Sequence, residues 1–325
     1  MSGLVTSSSK TLMLFSGRAF PELAQEIGAE LDTPLGNVTL GDFPNGEMYC
    51  RFEESVRGSD AFVIQSHTEP INKWLMEQLI MVDALKRASA KRISVVAPFY
   101  PYGRQDKKTL AREPISARLI ADLFTAAGAD RIISIDLHTA QIQGFLNDPL
   151  DHLTALPMLS DYIAQRVDSS QLTIVSPDAG RVRVAEKYTD RLNCPLAIIH
   201  KRRSARTPSD VRVFEVVGEV EGRTCVIVDD MIDTAGTITK AADAVIAQGA
   251  SEVLVVATHG IFSEPAVDRL KNCAVKEVIV TNTLPLPDDK RFDKVTVLSI
   301  APIIARAIRA VFDDSSVSDL FDGTN

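Results

Sequence analysis

CVIVDDMIDTAGT, residues 225–237, is the stretch on which the fold turns. It opens with a short apolar run at 225–228, the length of a strand. Two carboxylates follow, Asp229 and Asp230, and then Asp233, Thr234, Ala235, Gly236 and Thr237, small and hydroxyl residues that open a helix. In open α/β sheets ligands bind beyond the carboxyl ends of the strands. Backbone N–H groups at a helix start suit a phosphate. An adjacent acidic pair accepts hydrogen bonds from vicinal sugar hydroxyls. The order strand, two acids, loop, helix therefore describes a cradle for ribose 5-phosphate. An acidic turn that only caps the helix needs one side chain and not this arrangement.

Working outward, apolar runs recur at 12–15, 61–64, 93–97, 132–137, 172–175, 196–199, 253–257, 278–280 and 295–298. None alternates strictly with polar residues, which suits strands buried on both faces of parallel sheets. Helical spacing lies between them: Leu75, Leu79, Val82 and Leu85 within 70–92, a stretch at 115–127 between Pro114 and Gly128, and another at 237–248 closed by Gly249. Alternating strands and helices predict an α/β architecture. Residues 38–52 differ, with Gly41, Pro44, Asn45 and Gly46 between apolar flanks, and read as a hairpin beside the sheet. A boundary falls near 150–157, where His152, Thr154 and Pro157 interrupt the pattern, giving domains at 1–155 and 156–325. The chain's 325 residues accommodate two domains of about 100–200 residues each.

Composition narrows the partners. The net charge of −8 disfavours a constitutive nucleic-acid binder, which needs a basic footprint, but leaves room for a local cationic pocket. Cys50, Cys194, Cys225 and Cys273 are widely spaced and form no zinc or disulfide pattern, so free, buried thiols are expected. No apolar run is long enough to span a bilayer, and residues 1–10 are too polar for a secretory signal. A cytoplasmic protein with no membrane partner is expected.

Four further segments carry charge at strand ends. His138 follows the run at 132–137, and Asp178 follows the one at 172–175. Lys201, Arg202, Arg203 and Arg206 crowd four cations into six residues after 196–199. Arg104, Lys107, Lys108 and Arg112 follow 93–97, with Asp106 among them. A lone histidine near a strand end is usually structural, and a cationic run is usually a solvated face. No Gly-x-x-x-x-Gly-Lys-[Ser/Thr] or Gly-x-Gly-x-x-Gly motif is present, so a nucleotide would be held by other means.

The 225–237 segment resembles the phosphoribosyl-binding motif shared by phosphoribosyltransferases and ribose-phosphate diphosphokinases. Other segments pick out the second family: DLHTAQIQGF at 136–145, RQDKK at 104–108, FPNGE at 43–47, SPD at 176–178 and HKRR at 200–203. The resemblance covers 12–321, nearly the whole chain. It implies two tandem phosphoribosyltransferase-like domains, each with a mainly parallel sheet flanked by helices. It implies Mg²⁺-dependent transfer of the diphosphoryl group of ATP to the anomeric hydroxyl of ribose 5-phosphate, giving phosphoribosyl pyrophosphate and AMP. Lys201 and Arg203 become catalytic, with Arg203 also at the sugar phosphate. Phe43, Asn45, Glu47, Arg104 and Gln105 become ATP contacts, and His138 and Asp178 become associated with the metal. A flap at 204–211 would close over the substrates. A homo-hexamer is implied, with Ser55, Arg57 and Ser316 resembling a regulatory site.

Two departures bear on the site. Arg181 stands where many members have a glycine, and is expected to alter contacts near the metal. Ala235 replaces a glycine, which a small side chain tolerates if φ is negative there. The alternatives that share the 225–237 motif are a phosphoribosyltransferase, which needs no ATP loop, and a non-catalytic regulatory subunit, which should have lost the cations.

Overall fold

The computed structural model describes residues 10–203 and 212–318, with the backbone alone at 201–203 and 212–214. It falls into two compact units, Met1–Leu153 with Ala301–Asn325, and Thr154–Ile300.

The first unit contains β1 (Leu12–Ser16), α1 (Pro21–Glu30), β2 (Val38–Asp42), β3 (Met48–Phe52), β4 (Asp60–Ile64), α2 (Ile71–Arg87), β5 (Arg92–Val96), α3 (Ser116–Ala127), β6 (Arg131–Ile135) and β7 (Leu150–Leu153). The sheet order is β1-β4-β5-β6-β7, all parallel, and β2 and β3 form a separate antiparallel hairpin. One face of the sheet, through Phe15, Val63 and Val95, packs on Met81 and Val82 of α2 and Ile120 and Phe124 of α3. Each fully buried side chain of this size contributes about 1.5–3 kcal/mol. That is why the runs lack polar alternation: both faces of the sheet are covered.

The second unit contains α4 (Leu156–Ala164), β8 (Leu172–Ser176), α5 (Val182–Leu192), β9 (Leu196–Arg203), β10 (Arg212–Val217), β11 (Thr224–Ile232), α6 (Gly236–Ala247), β12 (Glu252–Gly260), α7 (Ala266–Lys271), β13 (Glu277–Thr281) and β14 (Val295–Leu298). Its order is β10-β9-β8-β11-β12-β13-β14, with β10 antiparallel to β9 and the rest parallel. Val175, Ala197, Ile227, Val255 and Val278 share a core with α6 and α7. Helix α5 packs on β8, β9 and β11. From β8 the chain steps outward through β9 to β10; from β11 it steps the other way through β12 to β14. The order therefore reverses between β8 and β11, the position at which such sheets open a binding crevice.

The last helix, α8 (Ala301–Phe312), returns to the first unit. It packs against α1, and Arg309 Nη2 donates to Leu31 O at 3.1 Å. Its apolar face is buried from Ala301 to Val311, and Pro302, Arg306 and Arg309 form an exposed stripe. A single cut at 155 does not describe this grouping.

Each apolar run in the sequence corresponds to a strand. Outside the β2–β3 hairpin, two strands have no such run: β7, whose Asp151 and His152 are polar, and β10. Strands β9 and β11 also run further than their apolar cores, so that Lys201 and Arg203 lie within β9, and Asp229 and Asp230 within β11. All four cysteines are free, but only Cys225 is fully buried; the other three are partly exposed. The flap expected at 204–211 lies outside the described residues. Among the described residues no helix is long and apolar enough to cross a membrane.

Candidate active site

In the second unit the crevice is built by two neighbouring strands. β8 ends at Ser176, and the chain turns through Asp178 into a tight 3-10 turn, Ala179–Arg181. Asp178 caps that turn: its Oδ1 accepts from Gly180 N at 2.9 Å, and its carbonyl accepts from Ser176 Oγ at 2.7 Å. The turn directs Arg181 onto the end of β11. There Arg181 Nε lies 3.0 Å from Asp229 Oδ1, and Nη2 lies 2.7 Å from Asp230 Oδ1. All three side chains are at most 17% exposed, so water screens these pairs poorly. Burial, and then the neighbouring charge of Asp230, push the Asp229 carboxyl well above the usual carboxylate range, while Arg181 opposes the shift.

Beyond the acids, Asp233 and Thr234 lead to Ala235 at the N-cap of α6. Ala235 has no side chain that can cap, so the N–H groups of the first turn are not closed from that position. Its φ is +58°, in the left-handed region, so the condition under which a side chain is easily tolerated there, a negative φ, does not hold. Arg269 of α7 donates from Nη1 to Thr234 O at 2.8 Å. A Cβ on Gly236 would sit 3.1 Å from that same Nη1, so Gly236 makes room for the cation beside the loop. A helix N-terminus and an adjacent guanidinium together favour a dianionic phosphate.

In the first unit, the candidate ATP loop and the loop after β6 are joined. Asp106 is 6% exposed and accepts from Thr139 Oγ1 at 2.8 Å and Gln141 Nε2 at 2.5 Å. Gly103 approaches His138: a Cβ there would lie 3.6 Å from the His138 Cβ. Arg104 and Gln105 are exposed, and Gln105 Oε1 accepts from Ser116 Oγ at 2.6 Å. His138 is partly buried. Leu137 N donates to His152 Nε2 at 2.9 Å, so β7 anchors the start of the His138 loop. Asp136, with φ +39°, makes the bend.

Phe43, Asn45 and Glu47 stand on a separate turn of this unit, between β2 and β3, all exposed. Phe43 N donates to Glu47 O at 2.7 Å, and Asn45 Oδ1 accepts from Glu47 N at 3.1 Å. Asp42, at the base of the turn, pairs with Arg18 at 2.7 Å and Lys73 at 2.8 Å. Those two hydrogen bonds, Arg18 first, hold its carboxyl down to about 2. Asp42, Phe43, Gly46, Glu47 and Lys73 border a cleft of about 710 Å³. Ser55 and Arg57 are exposed on the loop after β3, and Ser316 is exposed just after α8. Arg92, paired with both Asp60 and Asp314, links the regions that follow and precede them.

Comparison with known proteins gives the family. Residues 12–128 match the model of the N-terminal domain of ribose phosphate pyrophosphokinase, and 205–322 match that of the phosphoribosyl synthetase-associated domain. A ribose-phosphate pyrophosphokinase of Streptomyces coelicolor is 62% identical over 99% of both chains. The chain belongs to the ribose-phosphate pyrophosphokinase family. A family member from Mycobacterium tuberculosis is 58% identical over 98% of both chains. The crystal structure of phosphoribosylpyrophosphate synthetase from Mycobacterium smegmatis superposes with a TM-score of 0.90 at 58% identity, covering 94% of this chain and 100% of that one.

Within this pyrophosphokinase frame the second unit collects Asp229, Asp230 and 233–237 at one crevice, with Asp178 on the turn that bears Arg181. The first unit collects Arg104, Gln105 and His138. The sequence reading missed the roles of Arg181, Arg269, His152, Arg18 and Lys73. Each reaches its partner from 15 or more residues away, and no local pattern marks such a contact.

Proposed function

We propose that the chain is a ribose-phosphate diphosphokinase, in which the anomeric oxygen of ribose 5-phosphate attacks the β-phosphorus of ATP. A sugar oxygen–Pβ bond forms, the bond from Pβ to the oxygen bridging to the α-phosphorus breaks, and AMP leaves with that oxygen. The sugar hydroxyl proton passes to solvent or a nearby base. The observation that carries this reading is the Asp229–Asp230 couple, paired with Arg181, directly ahead of a helix start whose N-cap residue, Ala235, has no capping side chain, at the reversal of strand order. In it the carboxylates hold the ribose hydroxyls, and Asp233, Thr234, Ala235, Gly236 and Thr237 hold the 5-phosphate. Such chemistry depends on positioning and on neutralising charge. Lys201 and Arg203, on β9 next to β8, supply cations to the transferred group. Arg104 and Gln105 hold the triphosphate, and Phe43, Asn45 and Glu47 hold the adenine.

The donor chemistry accommodates Mg²⁺. This ion prefers oxygen, keeps several waters, and needs only one or two carboxylates beside substrate phosphates. Asp178 is a partly exposed carboxylate on a capped turn and fits. Asp229 and Asp230 already face a guanidinium and fit less well. His138 fits as a partner of a phosphate or metal-bound water. Held by Asp178, with His138 near it, the ion would supply positive charge to offset that of the substrate phosphates.

We extend the reading to a cytoplasmic homo-hexamer in which Ser55, Arg57 and Ser316 serve regulation. Family membership supports that assembly, as do the exposed Leu110, Ile115, Leu119 and Leu123 in and just before α3. The test is product analysis with ATP, Mg²⁺, phosphate and ribose 5-phosphate. AMP should form one-for-one with phosphoribosyl pyrophosphate and be lost in Lys201→Ala. Sugar-dependent ADP would replace this reading with an ordinary kinase.

A further inference from the structure

Arg181 is a departure that the reaction above does not use, yet it pairs with both acids of the crevice. Its guanidinium spans both carboxylates, Nε to Asp229 and Nη2 to Asp230, each through one oxygen. Neighbouring residues of a strand point to opposite faces. Two adjacent acids therefore converge on one ligand only if something gathers them. A planar fork with fixed N–H directions can do this, whereas a lysine ammonium is a point charge. Asp229 Oδ1 also accepts from Asp230 N at 2.9 Å, so Arg181 adds the second restraint on an oxygen already fixed by the backbone. Two buried like charges side by side resist joint ionisation unless a cation lies between them. The fork is itself held: Arg181 ends the turn that Asp178 caps, and its own N–H reaches Asp178 O at 3.3 Å. The turn comes from β8 and the acids from β11, the two strands at which the order reverses.

We infer that Arg181 is a positioning residue for sugar recognition, gathering Asp229 and Asp230 into one diol-binding face and so setting selectivity for a phosphorylated pentose with adjacent hydroxyls. This rests on the proposed role of the two acids toward ribose. Removing the fork lets the acids part and disfavours their joint ionisation. The cost falls on sugar binding and leaves the nucleotide side unchanged.

The experiment compares wild type, Arg181→Gln and Arg181→Lys as full-length proteins. KM is measured for ribose 5-phosphate and for ATP, along with the preference for ribose 5-phosphate over 2-deoxyribose 5-phosphate. Loss of charge-assisted hydrogen bonds leads to an increase of about 10- to 100-fold in the ribose 5-phosphate KM of Arg181→Gln. ATP KM should stay within about twofold, the preference against the deoxy sugar should narrow about tenfold, and Arg181→Lys should recover part of each effect. A merely structural role would lower the active fraction and the melting temperature while leaving both KM values and the preference in place. That outcome, or an equal rise in both KM values, overturns the inference. If Arg181→Gln does not fold, Arg181→Lys alone decides, on the same two ratios. If wild type forms no phosphoribosyl pyrophosphate, the diphosphokinase reading fails separately. Calorimetric titration with ribose 5-phosphate then decides the Arg181 role, a tenfold weaker affinity in the variants supporting it and equal affinity rejecting it.

Discussion

The two units fix their loops by different means. The sugar-side crevice of the second unit is held by charge: Arg181 across Asp229 and Asp230, and Arg269 against the loop at Thr234. In the first unit the loops after β5 and β6, on the proposed ATP side, are held by uncharged donors around one buried acid, Thr139 and Gln141 on Asp106, with His152 beneath, whereas the turn at 43–47 is anchored by the Asp42 ion pairs. Charge pairs hold a geometry firmly but leave an uncompensated ion when one partner is lost. Neutral donors leave a smaller penalty and a loop that adjusts more readily. Under the proposed function, the contrast suits a sugar gripped in one pose and a long triphosphate that must be admitted and released.

The largest effect that would break this contrast is expected in Asp230→Asn. Removing one member of a buried pair costs about 3–4 kcal/mol, equivalent to a loss of several hundredfold in kcat/KM for ribose 5-phosphate. An unchanged sugar KM and kcat would remove the charged cradle from the account. Asp229→Asn should reduce activity similarly without lowering the melting temperature at neutral pH. The sign follows from the raised carboxyl pKa: the folded state binds that proton more tightly, so ionisation at neutral pH costs stability.

Next in size is an acid response confined to the first unit. His67 is buried, its Nδ1 lies 3.3 Å from Phe99 O, and Nε2 has no hydrogen-bond partner. Burial holds the imidazole down to about 4. Unfolded, it takes a proton near pH 6.5, so its share of stability is intact above 6.5 and is lost as pH falls toward 4. That loss amounts to about 3 kcal/mol. The sole tryptophan, Trp74, lies on α2, so its fluorescence reports this unit. Denaturant midpoints followed at Trp74 should fall between pH 6.5 and 4, and His67→Leu should flatten the slope. An unaltered slope in the variant would assign the acid response elsewhere.

Asp106→Ala sharpens the comparison directly. It removes an acceptor shared by two loops, costing about 1–3 kcal/mol. ATP KM should rise while ribose 5-phosphate KM holds. A rise in both would mean that the loops of the two units are not independent. The smallest effect is expected in Ala235→Gly, which relieves a left-handed alanine at some entropic cost and nets about 0.5 kcal/mol of stability. A thermal melt showing destabilisation would mean that the alanine methyl, 5% exposed, contributes more by packing than it costs in strain.

What was legible follows the same division. The crevice of the second unit is written contiguously in 225–237, so strand, acids and helix start could be read in place. The buried strands were legible because covering both faces leaves apolar runs. β7 was not, because its Asp151 pairs with Arg131 and its His152 serves the neighbouring loop, giving it a polar sequence. Nor could the capture of α8 by the first unit be read, since an apolar helix face does not name the surface it joins. The first unit's candidate residues were named by resemblance rather than by chemistry, because Asp106 and His152 act across 15 to 35 residues of chain.

The central claim is transfer of a diphosphate in one piece. The most direct measurement is ³¹P NMR of a reaction with equimolar ATP and ribose 5-phosphate in Mg²⁺. The account requires the AMP resonance and the paired resonances of a sugar-linked diphosphate to grow together at a constant one-to-one ratio, with no ADP intermediate. Growth of ADP with a second sugar monophosphate would contradict it.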